Sequence, residues 1–93
     1  MLRISITSSS ENAVRFQLEG KLIGPWVDEL RQLSNDALSH NKMVTLDLKK
    51  LWFMDLRGAE LLRSLQQRQV SQTNCSQFIS QQLKETSSED RNV

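Results

Sequence analysis

Two carboxylates pose the first question about chemistry. Asp47 and Asp55 lie eight positions apart, and two carboxylates held at one site can divide acid and base work. The run around Asp47 alternates, however, and puts that residue on its polar side, while Asp55 falls in a turn beyond it. Nothing supplies an activated nucleophile. His40 is the only histidine and Cys75 the only cysteine, and neither stands in a Ser-His or Cys-His pattern. A single cysteine excludes an intrachain disulfide, and one histidine without a cysteine pair argues against a metal site. Cys75 reads as a small buried residue rather than a reactive thiol. The three glycines do not have phosphate-loop spacing. These residues predict a protein that is not an enzyme and holds no cofactor. Asp55 reads as an acceptor of backbone N–H bonds in its turn.

The elements that position these residues centre on 42–65, KMVTLDLKKLWFMDLRGAELLRSL. Val44, Leu46 and Leu48 alternate with Met43, Thr45 and Asp47, which predicts a strand. The apolar knot Leu51, Trp52, Phe53 and Met54 follows, with Phe53 expected in the core and Trp52 pointing away. Asp55, Leu56, Arg57 and Gly58 break the pattern. Leu61, Leu62 and Leu65 then resume at helical spacing, in a helix expected over 58–69. Upstream, Leu2, Ile4 and Ile6 alternate with polar residues, as do Val14, Phe16 and Leu18, predicting two strands joined across the polar turn 8–12. Gly24-Pro25 opens a helix, since proline is pre-set for the first helical position. Trp26, Leu30, Leu33 and Ala37 give it an apolar stripe, widened by Val27 and Leu38, and His40-Asn41 stops it. A short, poor strand is expected over 70–74. A last helix is expected to be capped by Ser76 and docked by Phe78, Ile79 and Leu83.

Composition bounds the function. Ninety-three residues allow one domain, with 38% hydrophobic and 25% charged residues and a net charge of +1. Both signs of charge are interspersed, and no basic stripe points to nucleic acid. No apolar run approaches the ~18 residues that cross a bilayer, and the first residues lack the apolar core of a signal peptide. A cytoplasmic protein without membrane insertion is the expectation. Residues 1–85 read as the folded domain. Residues 86–93 have no apolar position before Val93 and read as a disordered tail.

TLDLKKLWFMDLRGAELL resembles the central strand, turn and helix of the STAS family, the sulfate-transporter and anti-sigma-factor-antagonist domain. LEGKL (18–22) is similar to the family's L-x-G-x-L, and NCSQFISQQL (74–83) to its run into the third helix. The resemblance covers about residues 2–85 and implies an α/β fold in the order β-β-α-β-α-β-α, with helices packed on a mixed four-stranded sheet. It also implies a function: binding a kinase-like anti-sigma factor, with release when that serine kinase phosphorylates the serine after the turn aspartate. Here that position is Leu56, which has no hydroxyl, so no phosphorylation is expected there. Trp and Arg are enriched at interface hot spots. Trp52, Asp55, Leu56, Arg57 and Gly58 are therefore the candidate partner-binding residues. The alternative the resemblance offers is a subunit of a lipid-transport ABC complex that binds the ATPase. Capture of an anion at the helix start is a third reading, disfavoured by the aliphatic Leu56.

Overall fold

The computed structural model describes the backbone of residues 1–91 and the side chains of residues 1–84. Seven elements follow in order: β1 (Leu2–Ser9), β2 (Ala13–Leu22), α1 (Pro25–Ser39), β3 (Met43–Met54), α2 (Leu56–Gln67), β4 (Ser71–Thr73) and α3 (Gln77–Arg91). The four strands form one mixed sheet in the order β1-β2-β3-β4. The first pair is antiparallel and the other two are parallel. This is the α/β arrangement that alternation and helical spacing predict. Both parallel crossovers advance the same way across the sheet, so right-handed connections put α1 and α2 on one face.

That face holds the core. Val14, Phe16 and Leu18 of β2 and Val44, Leu46 and Leu48 of β3 are buried in one cluster with Val27 and Leu30 of α1, Leu61, Leu62 and Leu65 of α2, and Ile79 of α3. The opposite pleat carries Arg15, Gln17, Thr45 and Asp47. Asp47 is buried there among polar partners. It accepts from Asn74 Nδ2 and the Lys49 amide, both at 3.0 Å, and lies 3.6 Å from the Arg15 guanidinium.

Gly20 fixes where β1 begins. Its φ of 111° lies in the range that favours glycine, and a Cβ there would stand 2.5 Å from the Met1 carbonyl oxygen. The Lys21 amide donates to that same carbonyl at 2.9 Å.

Several expectations need correction. In β3 the alternation fails after Leu48. The pairing with β2 shifts twice, between Gln17 and Glu19 and between Gly20 and Lys21, and each shift adds a residue to β3. Leu51 and Met54 are buried as a result, whereas Trp52 and Phe53 are both exposed. Phe53 is thus not the core residue that simple alternation predicts. On α1 the buried stripe is Val27, Leu30, Ser34 and Ala37, with Trp26 half-buried and Leu33 exposed. The Ser34 hydroxyl is buried with no hydrogen-bond partner among the described residues.

α2 begins at Leu56 rather than Gly58, because Asp55 is its N-cap. Ser76 caps α3 as expected, accepting from the Ile79 amide at 3.2 Å. Ile79 is buried and Leu83 half-buried against the core, but Phe78 is exposed. Cys75 is exposed as well, not buried. The helix α3 takes in the backbone of residues 86–91. The remaining positions, 92–93, lie outside the described residues. No described helix is long and apolar enough to cross a membrane.

Candidate functional site

The site is built where β3 hands over to α2. A helix start leaves its first amides without partners, and Asp55 answers this with both carboxylate oxygens. Oδ1 accepts from the Gly58 amide at 2.8 Å, closing the first turn of α2. Oδ2 accepts from the Gly24 amide at 3.1 Å, at the start of α1. The Asp55 amide in turn donates to the Leu22 carbonyl at 3.2 Å. Through its side chain and its own amide, Asp55 therefore ties together the starts of two helices and the end of β2.

Gly58 completes the junction. A Cβ at this position would lie 2.6 Å from the Leu22 carbonyl oxygen and within 3.2 Å of the Leu22 and Met54 side chains. α2 can approach the strand ends this closely only because residue 58 has no side chain.

Held on that rigid turn, Leu56 is 61% exposed. Arg57 donates to Asp28 Oδ1 at 3.0 Å, and the same oxygen accepts from Arg31 at 2.7 Å. These exposed pairs contribute little to stability, but they hold the Arg57 guanidinium beside the first turn of α1. Trp52 belongs to a different neighbourhood. Its ring lies under the Lys21 ammonium, 4.8 Å from the centroid, in a cation–π contact. With Met1, Arg3 and Ile23 it lines an open hollow at the ends of β1 and β2. Asp55, Leu56, Arg57 and Gly58 thus form one unit, while Trp52 stands outside its network of hydrogen bonds and ion pairs.

Two contributors escape the sequence reading. Asp28 looks like an ordinary acidic residue in a first helical turn, and only its contact with Arg57 across 29 positions makes it part of the site. Lys21 lies within LEGKL but carries no sign that it will cover Trp52.

The two carboxylates do not act together. Asp47 is held by Asn74, Lys49 and Arg15, and Asp55 by Gly24 and Gly58. The hydrogen bond from Asn74, aided by the Lys49 amide and the charge of Arg15, keeps the Asp47 carboxyl below its ordinary range, against the opposing effect of burial. A base with a lowered pKa is a weak proton acceptor. Although Cys75 is exposed by surface area, neighbouring protein atoms desolvate its thiol and push it up, which disfavours the thiolate. His40 is exposed, with Nδ1 2.8 Å from the Asp36 carbonyl oxygen. Among the described residues no three His, Cys, Asp or Glu side chains are grouped to hold a metal.

No protein-family model matches the chain, and no curated protein matches it. Solved structures do. The anti-sigma factor antagonist SpoIIAA in its unphosphorylated form superposes with a TM-score of 0.58 at 19% identity, over 70% of this chain and 61% of its own. An uncharacterized DUF3478-family protein with a SpoIIAA-like fold, from Shewanella loihica PV-4, gives 0.53 at 22% identity over 72% and 56%. Mglu gives 0.55 at 19% identity over 73% of this chain and 18% of its own. The chain therefore spans less than two thirds of each of these proteins. At such identities the likeness is one of fold: the chain has a SpoIIAA-like α/β fold, in agreement with the fold implied by the resemblance of the 42–65 stretch.

Proposed function

We propose that the protein is a regulatory binding module of the cytoplasm, resembling an anti-sigma-factor antagonist. It docks a kinase-like anti-sigma factor through the 55–58 turn and α2. The observation that carries this reading is Leu56, an exposed aliphatic side chain at the first position of a helix whose start is fixed by both oxygens of Asp55. A preorganised apolar contact loses little entropy on binding. Arg57 beside it supplies a cation, and Trp52 a flanking aromatic contact.

Docking of this kind is constitutive. A phosphate at the turn would add about −1.5 to −2 charges to the contact surface and eject the partner. Leu56 offers no hydroxyl, so the turn stays in its binding-competent form.

The test is a pull-down that identifies the partner, followed by titration of wild type, Leu56→Ala, Leu56→Glu and Trp52→Ala with thermal melts alongside. Truncating a hot spot costs ~2 kcal/mol or more, a roughly 30-fold weaker complex. Leu56→Glu is expected to bind worse than Leu56→Ala, since its charge must be desolvated against the partner. Equal affinities across the four proteins would remove the turn as the contact. An ABC ATPase as the captured partner would replace the anti-sigma reading.

A further inference from the structure

We propose that β1 is a self-pairing edge, through which two copies of the chain join their sheets in antiparallel register centred on Ile4. A strand at a sheet edge exposes a row of unpaired N–H and C=O groups, and proteins ordinarily blunt such edges with prolines, charges, bulges or short strands. The two edges of this sheet differ. β4 has three residues, whereas β1 has eight, with no proline and Arg3 as its only charge.

The ladder with β2 shows which groups point outward. The Lys21 amide donates to the Met1 carbonyl, and the register continues Leu2↔Gly20, Arg3↔Glu19, Ile4↔Leu18, Ser5↔Gln17 and Ile6↔Phe16. Antiparallel partners alternate between mutually hydrogen-bonded and non-bonded pairs. Met1, Arg3 and Ser5 therefore turn their backbone groups toward β2, and Leu2, Ile4 and Ile6 turn theirs toward solvent. After Ile6 the pairing shifts at a bulge, so the regular edge is residues 2–6.

This edge is complementary to itself. Antiparallel pairing about Ile4 places Ile4 opposite Ile4 of the second copy and Leu2 opposite its Ile6. All three outward-facing residues then meet outward-facing residues, as mutual bonding requires. Arg3 falls opposite Ser5 of the second copy, so no like charges are opposed. Ile4 and Ile6 share the helix-bearing pleat with buried Leu2, yet Ile6 is 63% exposed and Ile4 only half-buried. The pairing would continue the apolar row across the edge and cover Ile6. A ladder this short belongs to the weak class of interfaces, so the dimer is expected to depend on concentration.

The test is sedimentation velocity on the full chain from about 10 μM to about 1 mM, in a Cys75→Ser background that excludes disulfide-linked dimers. The wild-type chain should show reversible dimerisation. Ile4→Pro removes an outward-facing donor and leaves the ladder to β2 its donors, although it also removes a half-buried side chain, and Ile6→Lys places a charge on the exposed edge. Each should weaken the dimer about tenfold or more, with melts confirming the fold. Amide hydrogen exchange on the otherwise unaltered chain adds a readout that needs no edge variant. Exchange at Ile4 and Ile6 should slow at high concentration. A chain that stays monomeric to ~1 mM, a dimer unaffected by either variant, or a dimer whose Ile4 and Ile6 amides exchange unchanged would each overturn the proposal. A monomer that instead accepts a strand from a different protein would also overturn it.

Discussion

The Asp55 carboxylate and the Gly58 amide are joined by a 2.8 Å hydrogen bond across the first turn of α2. The same carboxylate reaches the Gly24 amide with its other oxygen. Asp55→Ala leaves both amides without this acceptor. Loss of a cap alone costs about 0.5–2 kcal/mol, and the second, half-buried bond should take this substitution to the upper end. Urea unfolding of wild type and variant measures it. A difference under about 0.5 kcal/mol would show that water replaces the carboxylate at no loss.

Glycine within a helix is ordinarily a weakness, and its replacement by alanine is worth up to about 1 kcal/mol. Gly58→Ala should reverse that sign. The added methyl would meet the Leu22 carbonyl oxygen at 2.6 Å, and overpacking of this kind costs about 1–3 kcal/mol. Thermal melts decide. A Tm above that of wild type would mean that α2 can move away from the strand ends without loss.

The end of β3 predicts an inverted pair of core effects. Leu51 is buried and Phe53 is 37% exposed. Leu51→Ala should cost about 2–5 kcal/mol, and Phe53→Ala about 1 kcal/mol or less, although phenylalanine is the larger side chain. Equal losses would return Phe53 to the core.

Asp47 makes stability depend on pH. Its folded pKa lies below the ordinary value of 3.8, chiefly through the hydrogen bond from Asn74. A depressed carboxyl pKa contributes stability that is complete above the unfolded value and disappears as pH falls through the folded one. Wild type should therefore lose more stability than Asp47→Asn as pH falls from about 5 toward 2. Parallel acid profiles would mean that Asp47 contributes nothing to the acid limb.

Much of the fold is legible in the sequence because its signals are local. Leu2, Ile4 and Ile6, then Val14, Phe16 and Leu18, then Val44, Leu46 and Leu48 each alternate over enough positions to identify a strand. Pro25 and Ser76 mark two helix starts by their chemistry, and Asp55, expected to accept backbone N–H bonds in its turn, proves to be the cap of a third. What stays hidden depends on partners far along the chain. The exposure of Phe53 follows from two pairing shifts that involve β2, and nothing within LWFM reveals them. Ser34 is buried while Leu33 is exposed because the sheet selects which side of α1 it covers. Arg57 could be recognised as a cation near the turn, but its attachment to Asp28 of α1 could not.

The paired irregularities in β3 have a consequence for insertions and deletions. β2 spans ten residues and β3 twelve, yet they start level, with Ala13 beside Met43, and finish level, with Leu22 beside Met54. One extra residue would invert the facing of everything after it; two restore it. Met54 therefore returns to the side of Val44, Leu46 and Leu48, and Asp55 emerges where it can reach Gly24. Parity is conserved while length is not. Removing one residue among 48–53 should be far more damaging than removing two, since only the odd change would turn Met54 away from the helices and carry Asp55 off its two amides.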